Sequence, residues 1–280
     1  MEAVPLVACI TDFGSADFYA GALRGVLAGG LPRGAAVEIT HEIPPGDVRR
    51  AGLVLWEAQP SFPRGTIFLV VVDPGVGGAR RAAIFHFSDC DVVCPDNGTA
   101  TFLMERFAEC RAVEILPEQI GVLPLSNTFH GRDLFAPAAV QLASGMPLAE
   151  FGPDLPAPQR IPLPRLSGNA EEGWEGEALY SDHFGNIITS IGRISYEFGE
   201  LSPWINTGAR GGVISPRARV EFAGGECIPR AKTYSDAAGG PKRIAIVGSS
   251  GLLEIAAWKT PAAIDPAVQP GAVIRLTSPA

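Results

Sequence analysis

Long apolar runs and basic blocks are both absent from this chain of 280 residues. No stretch approaches the roughly 18 uninterrupted apolar residues of a membrane-spanning helix, so we expect no transmembrane segment. Lys and Arg form no block and the net charge is −8, which argues against nucleic acid or an acidic membrane surface as the main partner. Residues 1–10 have no basic segment before their short apolar run, so they predict a first strand and not a signal peptide.

Cysteine is scarce as well. The chain has five cysteines without regular spacing: Cys9, Cys90, Cys94, Cys110 and Cys227. An odd, irregular set predicts a protein of the reducing cytoplasm. Cys90 and Cys94 have no matching Cys or His pair later in the chain, so we predict no metal site.

Glycine and proline, in contrast, are abundant. The chain has 33 Gly and 25 Pro, which predicts many turns and short helices. With 46% hydrophobic and 19% charged residues, its composition is that of a globular protein.

The first half alternates strands and helices. Five apolar segments bounded by turn residues predict strands at 4–10, 36–39, 66–72, 82–87 and 91–94. Helical periodicity predicts helices at 17–28, 47–59 and 133–144, with Asp47 as an N-cap. Because the third strand is apolar on both faces, we predict a mostly parallel central sheet covered by helices, an α/β domain spanning residues 1–160.

The second half has a different pattern. A proline-rich run at 151–168 predicts a linker or an extended strap. Short segments separated by glycine follow at 175–181, 186–192, 217–224, 243–248 and 272–278. This spacing predicts a smaller all-β domain, a barrel or sandwich, over residues 161–280.

Acidic residues follow three of the predicted strands. They lie in the sequences TDFG at 11–14, DPG at 73–75 and PDNG at 95–98. Turn preferences explain any one of these residues alone. Since ligands bind beyond the carboxyl ends of parallel strands, three such exits predict side chains that converge on one site.

Two further segments combine polar side chains of different kinds. In NTFHGRD at 127–133, a helix cap explains Asp133 but neither His130 nor Arg132. In DHFGN at 182–186, a histidine, a phenylalanine and an asparagine precede a strand.

Carboxylates and a histidine are compatible with three kinds of protein. One is an enzyme in which these strand exits form one wall of the active site. Another is a metal-dependent phosphohydrolase, although Arg80 and Arg132 would place positive charge where the cation must lie. The third is a nucleoside-binding module without catalytic activity.

Six motifs together resemble one known family. They are TDFG, VDPGVGGAR, PDNG, TFHGRDLFAPAA, DHFGN and GSSGLLEIA, in this order over nearly the whole chain. The set resembles the S-adenosyl-L-methionine (SAM) hydroxide adenosyltransferases, relatives of the fluorinase and chlorinase. The resemblance implies an α/β domain followed by a β-barrel domain. It also implies a homotrimer whose active sites lie between the first domain of one subunit and the second domain of the next.

The family reaction converts SAM and water into adenosine and L-methionine, so SAM is the substrate and no cofactor is implied. The resemblance assigns the catalytic Asp-Arg-His set to Asp73, Arg80 and His130. The halogenating relatives lack this set, and the loop here has His130-Gly131 where a halide-binding serine is expected. Within the family, the resemblance therefore implies the hydrolase.

The resemblance also assigns residues to the substrate. Asp12 corresponds to the ligand of the ribose hydroxyls, and Asp17 lies near the ammonium group of methionine. The remaining residues match adenine or methionine contacts: Asn97, Phe184, Asn186, Tyr234, which stacks on adenine, Ser249, which holds the methionine carboxylate, and Glu254. Trp258 and Lys259 depart from the family pattern beside the adenine edge.

Overall fold

The computed structural model divides into two compact units, Met1–Ile161 and Pro162–Ala280. The residues that it describes are 6–31, 36–122, 126–195, 198–222, 225–260, 262 and 269–277. Residues 4–5 of the first predicted strand, with residues 223–224 and 278 of two later ones, lie outside the described residues.

The first unit is built on a six-stranded sheet. Its strands are β1 (Val7–Thr11), β2 (Ala36–Thr40), β3 (Thr66–Val71), β4 (Ala82–His86), β5 (Cys90–Pro95) and β6 (Arg111–Glu114), in the spatial order β2-β1-β3-β5-β4-β6. The pairs β1–β2, β1–β3 and β3–β5 are parallel, whereas β4 runs antiparallel to β5 and β6. The predicted mostly parallel sheet is confirmed. The sixth strand was not predicted.

Helices cover both faces of this sheet. They are α1 (Phe18–Gly30), α2 (Val48–Ala58), α3 (Thr101–Arg106) and α4 (Ala136–Ala143). α1 and α4 pack together on the face that carries Cys9, Leu69 and Val93. α2 contacts α3, β1 and β3, and every residue of β3 is buried. The doubly apolar third strand thus lies between two helical layers, as its sequence predicts.

Two of the predicted helix starts had different outcomes. Asp47 caps α2 and its side chain accepts a hydrogen bond from the Arg50 N–H at 2.9 Å, which confirms that prediction. The prediction of Asp133 as a cap is wrong. A π-helical turn, Gly131–Phe135, precedes α4 and places Asp133 inside the first turn, where its carboxylate accepts from the Ser126 N–H at 3.0 Å.

The ends of β1, β3 and β5 lie at one edge of the sheet. The last residue pair between β1 and β3 is Thr11 with Val71, so Asp12 and Asp73 follow neighbouring strand ends. β4 runs antiparallel to β5 and pairs Ala82 with Pro95. The beginning of β4, with Arg80 before it, therefore lies at the same edge as the ends of β1, β3 and β5.

The proline-rich run begins as a strap along the first unit. Asp154 bridges to Val113 of β6, and the Ile161 N–H donates to the Thr101 hydroxyl at 3.1 Å. Asp96 is part of this anchoring, because its buried carboxylate accepts from the Gln159 N–H at 2.7 Å and pairs with Arg81 at 2.6 Å. The prediction that Asp96 joins the other strand-end carboxylates is therefore wrong.

The second unit is an antiparallel β-structure. Its strands are β7 (Leu166–Asn169), β8 (Gly173–Ser181), β9 (Ile187–Thr189), β10 (Glu200–Leu201), β11 (Gly212–Val213), β12 (Arg219–Phe222), β13 (Glu226–Ile228), β14 (Ile244–Val247), β15 (Leu253–Ala256) and β16 (Val273–Thr277). The main sheet has the order β13-β12-β16-β8-β9-β15-β14, with β7 beside β8 and with β10 and β11 forming a separate pair.

Its two edge strands approach each other. Arg230, just after β13, bridges to Ala245 of β14, and the Ala231 N–H donates to the Ala245 carbonyl at 2.9 Å. The sheet is therefore nearly closed, and the predicted all-β, barrel-like second domain is confirmed. Among the described residues of both units, no helix has the length and apolarity needed to cross a membrane.

Candidate functional site

Asp73 and Arg80 form an almost buried ion pair at the edge of the sheet where β1, β3 and β5 end. The Arg80 Nε donates to both carboxylate oxygens at 3.0 and 2.9 Å, and Nη2 donates to Oδ2 at 2.5 Å. The side chains are only 6% and 13% exposed. The guanidinium also lies 5.1 Å from the centre of the Phe135 ring. A fixed positive charge is thus held against the carboxylate.

His130 completes this group through the same guanidinium. Its Nδ1 lies 2.7 Å from Arg80 Nη2. Because arginine only donates, Nδ1 accepts, and we assign the ring proton to Nε2. Burial lowers the pKa of His130 below its ordinary value, and the charge of Arg80 lowers it further, against smaller opposing effects of Asp73 and Asp133. The imidazole is therefore neutral at neutral pH.

Two glycines allow the loops of this group to pack. Gly77 has a φ of +73°, and a Cβ there would lie 2.3 Å from the Asn127 carbonyl oxygen. A Cβ on Gly131 would lie 2.7 Å from the Phe13 ring. A larger residue at Gly77 would separate the loop of Asp73 and Arg80 from that of His130, and one at Gly131 would push the His130 loop away from Phe13.

Asp12 lies at the end of the neighbouring strand. Its Oδ2 accepts a hydrogen bond from the Gly46 N–H at 2.8 Å. Burial raises the pKa of Asp12, the Gly46 bond opposes the rise, and the charge of Asp73 adds to it. The charge of Asp73 thus acts on the Asp12 carboxylate, as expected if the carboxylates at these strand ends lie close together.

Asn97 and Asp17 have different surroundings. The Asn97 amide donates to the Val72 carbonyl at 2.9 Å and accepts from the N–H and hydroxyl of Thr99, so it supports the end of β3. Asp17 is exposed at the N-terminus of α1, and its side chain makes no capping hydrogen bond. Its carboxylate therefore stands where the helix dipole favours negative charge.

Four aromatic rings that were not predicted as part of the site border Asp12 and His130. Phe13 contacts Phe129 at 5.5 Å between ring centres, and Phe129 contacts Tyr19 at 5.1 Å. Phe18 stacks on Tyr19 at 4.4 Å, and these two rings are 63% and 41% exposed. Large apolar rings exposed beside buried charges mark a surface that another molecule covers.

Arg132 stacks on Phe129 and pairs with Asp133.

The second unit has an aromatic cavity of about 500 Å³. It is lined by Phe184, Asn186, Tyr234, Ala257, Trp258, Lys259 and Thr260. Three of its rings are exposed, with Phe184 at 76%, Tyr234 at 44% and Trp258 at 37%. An apolar cavity walled by aromatic rings suits a flat heterocycle. The structure thus brings together Phe184, Asn186 and Tyr234, and Trp258 and Lys259, which depart from the family pattern, line the same cavity.

Asp182 organises one wall of this cavity, a role that the sequence analysis missed. Its Oδ1 accepts from the N–H groups of Phe184 and Asn186 at 2.9 and 2.8 Å, and Oδ2 accepts from the Asn186 amide at 2.9 Å. An acceptor-only carboxylate therefore orients the Asn186 side chain. The aspartate at the start of DHFGN was the available signal.

Glu254 and Ser249 do not line the aromatic cavity. Glu254 is buried in β15 and accepts from the Tyr234 hydroxyl at 3.0 Å. Burial, followed by the charge of Glu254, raises the pKa of Tyr234 to about 12, so the hydroxyl stays protonated. Ser249 lines a separate cavity of about 620 Å³ with Lys232 and Phe198.

Comparison with known proteins connects both units with one family. The model of the SAM hydroxide adenosyltransferase N-terminal domain matches residues 7–152, and that of the C-terminal domain matches residues 176–275. An (R)-S-adenosyl-L-methionine hydrolase of Thermus thermophilus is 38% identical over 88% of this chain and 89% of its own length. A protein of the same name from Salinispora tropica is 36% identical over 99% and 100%.

A solved structure agrees with these matches. The crystal structure of an uncharacterized conserved protein from Thermotoga maritima has a TM-score of 0.81 and 30% sequence identity. The similarity covers 96% of this chain and 99% of that one. The similarity therefore extends over both units.

Proposed function

Because this chain belongs to the SAM hydroxide adenosyltransferase family, we propose that it hydrolyses SAM to adenosine and L-methionine. The observation that carries the proposal is the group formed by Asp73, Arg80 and His130 at the edge of the sheet where β1, β3 and β5 end. Water attacks C5′, the bond from C5′ to sulfur breaks, the neutral thioether of methionine leaves, and the attacking water releases one proton to solvent. SAM is consumed as the substrate.

Asp73 orients the attacking water. Its oxygens accept from Arg80 and retain lone pairs that accept from a water molecule. Arg80 holds this carboxylate in place through hydrogen bonds from Nε and Nη2. We therefore favour orientation and polarisation of water by Asp73 over complete proton abstraction.

His130 is less suited to accept the proton. Its Nδ1 lone pair already accepts from Arg80, and burial lowers the pKa of its ring. The Nε2–H instead supplies a donor that positions an oxygen.

Charge is neutralised in the transition state, because a hydroxide-like oxygen attacks the carbon bound to the positively charged sulfur. A preorganised site that excludes bulk water favours such a transition state.

The substrate contacts are part of the same proposal. Asp12 accepts from the ribose hydroxyls, Asp17 lies near the methionine ammonium group, and Asn97 supports the edge that receives the nucleoside. In the second unit, the cavity around Tyr234, Phe184 and Asn186 takes the adenine ring. Ser249 binds the methionine carboxylate, and Glu254 acts through Tyr234.

The first prediction tests the reaction itself. Purified protein incubated with SAM should release adenosine and methionine, measured by HPLC, with equal rates in buffer and in EDTA. The physical reason is that Arg80 occupies the Asp73 carboxylate where a cation would otherwise bind. Loss of activity in EDTA and its return with a divalent ion would contradict the metal-free reaction, and phosphate release from a nucleotide that EDTA abolishes would favour the metal-dependent phosphohydrolase. A stable complex with SAM but no adenosine would favour the binding module.

The second prediction concerns Asp12. Asp12→Ala should raise KM at least about tenfold and change kcat little, because the ribose hydroxyls change little as C5′ reacts. Each charge-assisted hydrogen bond contributes roughly 1.5–3 kcal/mol. Wild type should discriminate against 2′-deoxy-SAM, and Asp12→Ala should discriminate much less. Equal discrimination by both proteins would show that Asp12 does not hold the ribose.

We also propose a homotrimer in which the first unit of one subunit and the second unit of the next form each site. The third prediction tests this by mixing subunits. Arg80→Ala and Tyr234→Ala proteins, each nearly inactive at low SAM, should regain activity when co-expressed and purified together. Half of the first units and half of the second units are intact, so roughly a quarter of the sites should be complete. Activity equal to the average of the two parents would contradict shared sites.

A further inference from the structure

We propose that His41 is a positioning residue that holds the Asp12 loop in its ribose-binding conformation. This inference rests on the proposed function, and it extends that function to a buried histidine that makes no contact with the reacting atoms. The His41 side chain is only 5% exposed. It lies just after β2, outside all of the motifs by which the chain resembles its family.

Four hydrogen bonds join the segment 41–46 to the loop Thr11–Gly14. Two of them involve His41: its Nδ1 lies 2.7 Å from the Thr11 hydroxyl, and its carbonyl accepts from the Gly14 N–H at 2.7 Å. The Ile43 N–H donates to the Thr11 carbonyl at 3.2 Å, and the Gly46 N–H donates to the Asp12 carboxylate at 2.8 Å. The segment therefore contacts the loop on both sides of Asp12 and at Asp12 itself.

The polarity of the contact between Thr11 and His41 follows from their other partners. The Thr11 oxygen accepts from the Phe13 N–H at 3.2 Å, so its hydrogen is free to point at His41. The His41 Nε2 faces the Glu38 carboxylate at 3.5 Å, which favours a proton on Nε2 and a lone pair on Nδ1. Glu38 is itself paired with Arg24. The chain Glu38–His41–Thr11 thus directs one acceptor at the Thr11 hydroxyl.

The consequence for the substrate passes through Gly46. This glycine has a φ of +75°, which directs its N–H at Asp12 Oδ2, and a Cβ there would lie 3.6 Å from Pro74, next to Asp73. A shift of the segment 41–46 would therefore change the orientation of the Asp12 carboxylate. The ribose contact would weaken, whereas Asp73 would keep its bonds with Arg80.

The test compares two substitutions of similar size. His41→Leu keeps the branched shape but removes both nitrogens, and His41→Asn keeps an acceptor at the position of Nδ1. We expect His41→Leu to raise KM for SAM about tenfold, with kcat within about threefold of wild type. Its discrimination against 2′-deoxy-SAM should fall toward that of Asp12→Ala. His41→Asn should restore KM to within about threefold of wild type.

Thr11 provides an independent arm if His41→Leu fails to fold. Thr11→Val removes the hydroxyl and should reproduce the rise in KM, whereas Thr11→Ser should not. Since both groups belong to one contact, the double variant should be no worse than either single variant. A lower melting temperature with unchanged KM and unchanged discrimination would show that His41 only packs the core, and it would overturn the proposal.

Calorimetry separates this inference from the proposed reaction. The ratio of Kd values for adenosine and 2′-deoxyadenosine reports on the ribose contact without any chemical step. If wild type releases no adenosine from SAM, the proposed function fails, and this ratio still tests His41. If wild type is active and His41→Leu retains the wild-type ratio, only the positioning role is wrong.

Discussion

Arg80→Ala is expected to lower kcat by about 10²–10⁴ and to change KM much less. Removing a group that acts in the transition state has this signature. Arg80 donates to the Asp73 carboxylate through Nε and Nη2, and the same Nη2 donates to Nδ1 of His130. Without it, Asp73 becomes a buried carboxylate with no cation beside it, and His130 loses the donor that sets its tautomer.

The control for this prediction is another arginine in an ion pair. Arg111 pairs with Asp154 at 2.9 Å, but their side chains are 50% and 67% exposed, so Arg111→Ala should keep kcat within about twofold of wild type. Arg80→Lys should recover little, because an ammonium group lacks the planar fork that reaches Asp73 and His130 together. A kcat of Arg80→Ala within about threefold of wild type would refute the assignment.

Asp73→Asn is expected to lower kcat by a similar factor, about 10²–10⁴. The amide has nearly the shape of the carboxylate, but it carries no charge and places an N–H₂ group against a guanidinium that only donates. The carboxylate that orients water is thereby lost while the backbone stays in place. Steady-state kinetics with SAM measures kcat and KM, and thermal unfolding checks that the fold persists.

Two comparisons sharpen the Asp73 prediction. Asp154→Asn changes a mostly exposed carboxylate of the first unit and should leave kcat near wild type. Asp73→Asn combined with Arg80→Ala should be hardly slower than either single variant, because groups that act as one unit are not additive. Multiplied losses in the double variant would mean that the two residues act separately.

Local patterns were sufficient for most of the architecture. The uninterrupted apolar run of β3 predicts a strand covered on both faces, and its six buried residues confirm this. Asp47 was recognised as a cap because capping depends on only the next three residues. Six strands of two to four residues were not predicted: β6, β7, β10, β11, β13 and β15.

The partners of the acidic residues were less predictable. Asp12, Asp73 and Asp96 each follow a strand, and nothing local distinguishes them. Asp96 accepts a hydrogen bond from the N–H of Gln159 in the strap, 63 residues further along the chain. Asp12 accepts one from the N–H of Gly46, 34 residues away. The sequence places each carboxylate at a strand exit, but a distant segment decides what it binds.

What the sequence by itself determined is most of the elements of the first unit, the edge of the sheet where their polar ends lie, and the family motifs with Asp73, Arg80 and His130. These depend on periodicity, turn chemistry and the order of residues, which are properties of short segments. Only the tertiary structure decided that Arg80 bonds Asp73 and His130 together, that Asp133 supports a loop, and that His41 and Asp182 hold other loops in place. Each of these contacts depends on packing between residues far apart in the chain or on the turn that a loop adopts, because a buried polar group takes whichever partner the fold brings within hydrogen-bond distance.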